Sequence, residues 1–371
     1  MKKDLYPPIY YAEYLDLDKL LSAQSLKSDE YNDHAHDEML FIIIHQTYEL
    51  WFKQILFELD DVIKVFSNDF IDERNLSRAL ARINRIIEIQ KIMIEQLHVL
   101  ETMTPLDFLD FRDYLVPASG FQSFQFRTIE NNLGLKREER LKYNSRDFDN
   151  SLKPEHKDKI GELKTSLFDL IEKWLERIPF IQSPEFNFWE KYHEAIDAML
   201  AHEEDIIRNN NSLSPEKKEK QLETFANTKK SFLALFDENY HNELIAKGEK
   251  RLSFKATLSA LFINLYRDEP ILFIPFQFLT AMVAMDEQFT IWRYRHAIMV
   301  HRMIGVKIGT GGSSGQGYLM ATVEKHRVFV DLFNLSTYLI PRSELPALPK
   351  DLLKELGFYY DKNDKNDKND N

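Results

Sequence analysis

Glycine is the residue whose distribution most constrains how this chain can fold. Only 11 of the 371 residues are glycine, and six of those lie between Gly305 and Gly317. Glycine and proline both interrupt helices, so long stretches with little of either favour helical structure. No segment shows several runs of alternating polar and apolar residues bounded by turns, which argues against a major sheet. The sequence therefore predicts an all-α fold.

Hydrophobic periodicity locates the helices. From Glu38 to Phe66, apolar residues at positions 41, 44, 48, 52 and 55 form one helical stripe, and Asp37 is placed to cap it. The same reasoning predicts further helices at Leu76–Leu100, Pro105–Leu115, Lys159–Trp174, Glu185–Asn209, Pro215–Asn239, Lys255–Tyr266, Pro275–Ile304, Tyr318–Phe333 and Lys350–Gly357.

We expect the chain to have three parts. Residues 1–37 are expected to form an N-terminal arm, and residues 38–360 one large helical domain, a helical bundle. Within that domain, about 135–255 is a helical insertion, an excursion in the middle of the chain. Residues 361–371 repeat Lys, Asn and Asp without any apolar side chain, so we predict a disordered tail.

Charge and cysteine content exclude several function classes. The chain carries 60 acidic and 48 basic residues, a net charge of −12, which argues against nucleic acid and against an anionic membrane surface as partners. It has no cysteine, which excludes disulfides, thiolate metal sites and a cysteine nucleophile. The N-terminus lacks the apolar core of a signal peptide, and the most apolar run, Ile271 to Met285, is shorter than a spanning helix. We therefore expect a cytoplasmic protein with no membrane span.

Two histidines lie on apolar helical stripes. His45 shares its stripe with Phe41, Ile44 and Phe52, and His296 follows Trp292 by four residues. A histidine in such a place is commonly a hydrogen-bonded core residue. A lone histidine on a long apolar helix can also present an axial imidazole to heme. Both interpretations stay open for each histidine on this evidence.

An arginine and a glycine-rich loop are the other candidates for ligand binding. Arg112 shares a helical face with Phe108 and Phe111, and a buried guanidinium needs an anionic partner, either a structural carboxylate or the carboxylate of a substrate. The segment Gly309–Gly315 has four glycines in seven residues and lacks the pattern of a phosphate-binding loop. It is either a linker or a place where backbone approaches a polar ligand. The residues themselves indicate a helical ligand-binding protein.

Several long motifs resemble those of the tryptophan 2,3-dioxygenases. They are Tyr11–Asp18, His36–Gln54, Phe108–Ser123, Trp292–His296, the Gly309–Gly315 loop and Val328–Arg342, and they span most of the chain. The resemblance implies an all-α homotetramer with one heme b per subunit. It also implies that both atoms of O₂ enter the C2–C3 bond of the L-tryptophan indole, giving N-formyl-L-kynurenine in the first step of the kynurenine pathway.

The resemblance assigns the cofactor side of the site to three positions. His296 matches the proximal histidine, the axial ligand of the heme iron. Ser119 and Gly120 match residues beside the heme edge on the distal side.

The resemblance assigns the remaining matched positions to the substrate. His45 matches the distal histidine, which faces the indole N–H and is the residue expected to assist catalysis. Arg112 and Thr310 match residues that bind the carboxylate and the amino-acid head group. The walls of the indole pocket and the arm that reaches a neighbouring subunit's site match Phe41, Phe108, Tyr11 and Tyr14.

Two alternatives belong to other functional classes. A non-catalytic heme sensor needs His296 but has no use for an amino-acid clamp at Arg112 and Thr310. A helical interaction protein needs no cofactor at all.

Overall fold

The computed structural model describes residues 6–141, 152–161, 165–178, 188–309 and 316–357, and within these ranges it contains α-helices and short 3₁₀ helices but no strand. The all-α prediction is confirmed. The helices are α1 (Tyr11–Leu15), α2 (Leu17–Leu21), α3 (Lys27–Glu30), α4 (Glu38–Phe66), α5 (Glu73–Leu100), α6 (Pro105–Arg112), α7 (Phe124–Leu133), α8 (Pro154–Gly161), α9 (Leu167–Glu176), α10 (Phe188–Asn209), α11 (Pro215–Leu233), α12 (Glu238–Ala246), α13 (Phe254–Leu265), α14 (Pro270–Ile304), α15 (Gln316–Lys325), α16 (Val330–Asn334) and α17 (Lys350–Leu356).

Three long helices, α4, α5 and α14, form the centre of the fold. Helix α5 packs against both α4 and α14, so it joins two helices that lie more than 200 positions apart in the sequence. Ile55 of α4, Ile83 of α5 and Met282 of α14 are fully buried at these contacts. Burying one such side chain contributes about 1.5–3 kcal/mol, so the shared apolar stripe is what holds the three helices together.

Helix α14 has the length and composition of a membrane-crossing helix. In this fold it packs against α5, α13 and α15, and Phe278 and Met285 on it are fully buried. The apolar run from Ile271 to Met285 is therefore part of a core helix that is 35 residues long. Pro275 lies inside this helix, within its second turn. Because proline has no N–H, one helical hydrogen bond is missing there.

Most of the predicted helices are confirmed, and α4 begins and ends at the predicted residues. Asp37 stands at the N-cap of α4, but its side chain accepts no capping hydrogen bond. Three predicted helices are wrong in their continuity, because each is divided into two shorter ones: Lys159–Trp174 into α8 and α9, Pro215–Asn239 into α11 and α12, and Tyr318–Phe333 into α15 and α16. Helix α7 was not predicted.

The N-terminal segment lies on the surface. Helices α1 to α3 are four or five residues long. The side chains of Tyr11 and Tyr14 on α1 are 70% and 72% exposed. The predicted tail at 361–371 lies outside the described residues, as does part of the predicted insertion at about 135–255. The division of the chain into arm, domain and tail remains a prediction.

Candidate active site

A cavity of about 320 Å³ lies where α4, α6, α7, α14 and α15 approach one another. This volume is within the range of sites for small molecules and cofactors. Seven of the residues predicted as site residues line it: Phe41, His45, Phe108, Arg112, Ser119, Gly120 and His296. The fold therefore brings together side chains from four separate segments of the sequence.

His45 forms part of the α4 wall of this cavity. Its Nδ1 lies 2.7 Å from the carbonyl oxygen of Phe41, one turn earlier on the same helix. Because a carbonyl can only accept, Nδ1 carries the proton and Nε2 is left as an acceptor. The ring is exposed to the cavity but otherwise surrounded by protein, and this partial burial lowers the pKa of His45, against the opposing effects of Phe41 and Glu49. The neutral ring thus offers one lone pair to a ligand.

His296 forms part of the α14 wall. Burial, with a smaller contribution from His45, lowers the pKa of His296 to about 4, so the ring is neutral at pH 7. The indole of Trp292 lies parallel to it, with ring centroids 5.5 Å apart. Within the described part of the chain, the imidazole has no hydrogen-bond partner. A neutral, unpaired imidazole is the form that coordinates a metal ion.

Helix α6 carries Phe108 and Arg112 to the same cavity. Its first turn is fixed by a capping box between Thr104 and Asp107, with Pro105 at the first helical position. The ring of Phe108 lies 5.8 Å from that of Phe41, so the two residues form an aromatic wall. These apolar rings suit a flat aromatic ligand.

Arg112 has no carboxylate within salt-bridge distance among the described residues. Its Nη2 donates to the carbonyl oxygen of Ile308, and its buried Nε has no partner. The side chain of Arg112 is half-buried and keeps its charge, so its guanidinium is available to bind an anion that a ligand brings. The contact with Ile308 also places Gly309, the start of the glycine-rich loop, in the cavity wall.

The remaining predicted residues have different placements. Ser119 caps a 3₁₀ turn by accepting from the amide of Phe121, and the position that a side chain would occupy at Gly120 has no atom within 4 Å. Thr310 lies outside the described residues. Tyr11 and Tyr14 do not line this cavity within the single chain, so their assignment to a neighbouring subunit's site remains a prediction.

The sequence analysis missed a buried charged cluster in the cavity wall. Glu130 of α7 accepts hydrogen bonds from Arg127, Arg140 and Arg293 and lies 3.4 Å from Nδ1 of His326. All five side chains are at most 8% exposed. Arg127 and Glu130 are three residues apart on one helix, which was the only local signal. The other members come from remote segments and could not be located from spacing.

The chemistry of the cavity suits a prosthetic group better than a bare metal ion. The described residues hold no cluster of three or more His, Asp or Glu side chains that could bind a metal by themselves. They do present His45 and His296, both neutral, in one cavity with aromatic walls, together with Arg112 and Arg127, each of which has a buried, unpaired Nε. Fold and site together define a helical protein with a cavity suited to a flat, anionic cofactor or ligand.

Comparison with known proteins identifies the family. The sequence profile of the tryptophan 2,3-dioxygenases matches residues 6–339. The chain is 52% identical to tryptophan 2,3-dioxygenase of Bdellovibrio bacteriovorus over 96% of this chain and 99% of that protein. It is 49% identical to the enzyme of Xenopus laevis and 48% identical to that of Mus musculus, over 94% and 92% of this chain and 86% and 84% of theirs. The chain belongs to the tryptophan 2,3-dioxygenase family.

Proposed function

We propose that this protein is a heme-dependent dioxygenase that converts L-tryptophan and O₂ to N-formyl-L-kynurenine, the first step of tryptophan degradation by the kynurenine pathway. Both oxygen atoms enter the product as the indole C2–C3 bond is cleaved. The observation that supports this most directly is the meeting of His45, His296 and an unpaired Arg112 in one cavity. Family membership points to the same reaction.

His296 is the residue that would hold the heme b iron, one heme per subunit. It is neutral, faces the cavity and has no hydrogen bond within the described part of the chain that would compete for its lone pair. Bound heme supplies the oxygen chemistry, while the protein supplies binding and orientation. Ser119 and Gly120 offer small, open positions for the edge of the porphyrin.

The substrate would be held at both of its ends. The unpaired guanidinium of Arg112 suits the carboxylate of the amino acid, and Thr310 is proposed to bind the head group beside it. Phe41 and Phe108 would hold the indole ring between apolar surfaces. Nε2 of His45, an acceptor because Nδ1 is bound to Phe41, would accept the indole N–H. In this arrangement His45 orients the ring and holds its proton, and it need not remove that proton.

We also propose that the protein is a cytoplasmic homotetramer in which Tyr11 and Tyr14 reach a neighbouring subunit's site. Apolar side chains such as Leu50 and Phe57 on α4 and Tyr294 on α14 are exposed, at 50%, 72% and 45%, as subunit contacts would require. The absence of cysteine is compatible with a reducing compartment. Sedimentation equilibrium of the heme-loaded protein tests the assembly, and a monomer at micromolar concentration would contradict it.

The reaction can be tested directly. Heme-loaded protein is reduced and mixed with L-tryptophan in air, and the absorbance of N-formylkynurenine is followed. We expect product that carries both atoms when ¹⁸O₂ is used. Fully heme-loaded protein that forms no product would favour a non-catalytic sensor, and protein that binds no heme would favour a cofactor-free interaction protein.

A further inference from the structure

Arg127 lines the cavity but has no part in the proposed binding of tryptophan. It lies on α7, its side chain is 7% exposed, and its Nη1 donates to Oε2 of Glu130 over 2.8 Å. Its Nε is buried and has no partner. The guanidinium carbon lies 5.9 and 5.7 Å from the ring centroids of Phe121 and Phe126. A permanent charge is thus held between aromatic rings with one donor unused.

Glu130 does not fully neutralise this charge. Its one carboxylate is shared with Arg140 and Arg293 as well as Arg127. Burial would raise the pKa of Glu130, but the surrounding arginines, Arg127 first, hold it well below its ordinary value. Glu130 is therefore ionised, and its single negative charge is divided among three guanidinium groups.

Of these three arginines, Arg127 is the one best placed for a ligand. Arg293 also lines the cavity, but it spends its donors on Glu130 and on the carbonyl oxygen of His326. Arg140 belongs to the cluster without being part of the described cavity wall. Arg127 combines a place in the wall with a buried donor that lacks an acceptor. Because Arg127 shares the Glu130 carboxylate with two other arginines, an anionic group of a ligand in the cavity would balance the rest of its charge.

We propose that Arg127 binds a carboxylate of the heme, and that Glu130 fixes the guanidinium in place for it. This inference rests on the proposed function, because it takes the porphyrin, with its two carboxylates, as the occupant of the cavity. The substrate carboxylate already has a separate partner in Arg112. Arg293 lies three residues before His296, about one turn of α14, so the cluster adjoins the helix that carries the iron ligand.

The test compares two porphyrins whose propionate groups are either ionised or esterified. Heme-free, full-length protein is loaded with iron protoporphyrin IX or with its dimethyl ester, and transfer of each to an excess of apomyoglobin is followed in the Soret band. In Arg127→Leu, we expect the free diacid to be lost at least about tenfold faster and the diester to be lost at a nearly unchanged rate, because only the diacid forms an ion pair with the guanidinium. Arg127→Lys should keep part of the effect.

Arg140→Leu is the matched control, since it removes another arginine of Glu130 outside the cavity wall. It should change the loss of neither porphyrin by more than about twofold, and thermal unfolding of each heme-free variant verifies folding. Equal acceleration for diacid and diester, or the same diacid effect in Arg140→Leu, would show that the cluster is purely structural and would overturn this inference alone. Failure of the unmodified protein to bind either porphyrin would overturn the proposed function with it.

Discussion

The α4 and α14 walls of the cavity each present one histidine, but the fold holds the two rings differently. Nδ1 of His45 is bound to the carbonyl of Phe41, which fixes both the tautomer and the direction of the ring. The ring of His296 has no such bond within the described residues, and only the parallel indole of Trp292 lies beside it. One ring is thus prepared to accept a hydrogen bond in a set direction. The other is prepared to have its direction set by a bond to a ligand.

The largest expected effect is on the cofactor. His296→Ala should abolish normal axial ligation of heme, with loss of the native Soret spectrum, because it removes the imidazole proposed to hold the iron. His45→Ala is the control on the opposite wall and should keep its ligated heme. A normally ligated heme in His296→Ala would mean that the roles of the two walls have been wrongly assigned.

The next effect concerns the head group of the substrate. Arg112→Leu should weaken the binding of L-tryptophan tenfold or more, since a hydrogen bond to a charged group contributes about 1.5–3 kcal/mol. Tryptamine, which lacks the carboxylate, should be affected much less. Titration of the heme-loaded protein with both ligands measures this, and an equal loss for the two would remove Arg112 from the site.

Acid should lower the free energy of unfolding of the heme-free protein, in part through His296 on the α14 wall. Because the pKa of His296 is lowered from 6.5 to about 4, the unfolded chain binds a proton that the folded chain refuses between these values. The free energy of unfolding should therefore fall as pH falls from 6.5 to 4. In His296→Leu the free energy of unfolding should fall less over this range, by on the order of 1–2 kcal/mol. The difference is kept to this size because the cavity leaves part of the ring exposed. Urea unfolding at several pH values measures the difference; parallel curves for the two proteins would contradict it.

The smallest expected effect is at His45. His45→Ala should weaken the binding of L-tryptophan several-fold, because a neutral hydrogen bond contributes about 0.5–1.5 kcal/mol. The variant should also lose the unmodified protein's preference for L-tryptophan over 1-methyl-tryptophan, which has no indole N–H. If the preference survives unchanged, His45 does not face that proton.

Local pattern was enough to predict the long helices. Helix α4 carries an uninterrupted apolar stripe from Phe41 to Ile55 without glycine or proline, so its periodicity gave both ends. The same stripe placed His45 on the buried face. The resemblance in motifs then supplied the pairing of His45 with His296, which spacing alone could not.

The breaks that the sequence did not reveal have specific causes. Helix α9 begins at a capping box in which Ser166 and Asp169 satisfy each other's amides, a signal that was present but overlooked. The break between α15 and α16 has a remote cause. The amides of Val328 and Phe329 donate to the carboxylate of Asp286, at 3.2 and 3.3 Å. Asp286 lies on α14, about forty positions earlier, so no window of local sequence contains the reason.

The charged cluster around Glu130 was hidden for the same reason. Arg293 and His326 reach Glu130 across 163 and 196 positions of sequence. A buried arginine predicts an anionic partner, but the local sequence does not identify that partner. Charge neutralisation in a core depends on the assembled fold. The partners can therefore be identified only from the positions of the helices in the structure.

The arrangement of α4, α5 and α14 also has a consequence for biosynthesis. Helices α4 and α5 leave the ribosome first, with apolar stripes that await α14. At about 5–20 residues per second, the roughly 200 residues between the end of α5 and the end of α14 take on the order of 10–40 s to translate. During that interval the nascent chain displays an unpaired apolar hairpin, a natural substrate for chaperones. The α14 wall that bears His296 and the α15 wall after it are translated last, so the cavity is complete only when translation is nearly finished.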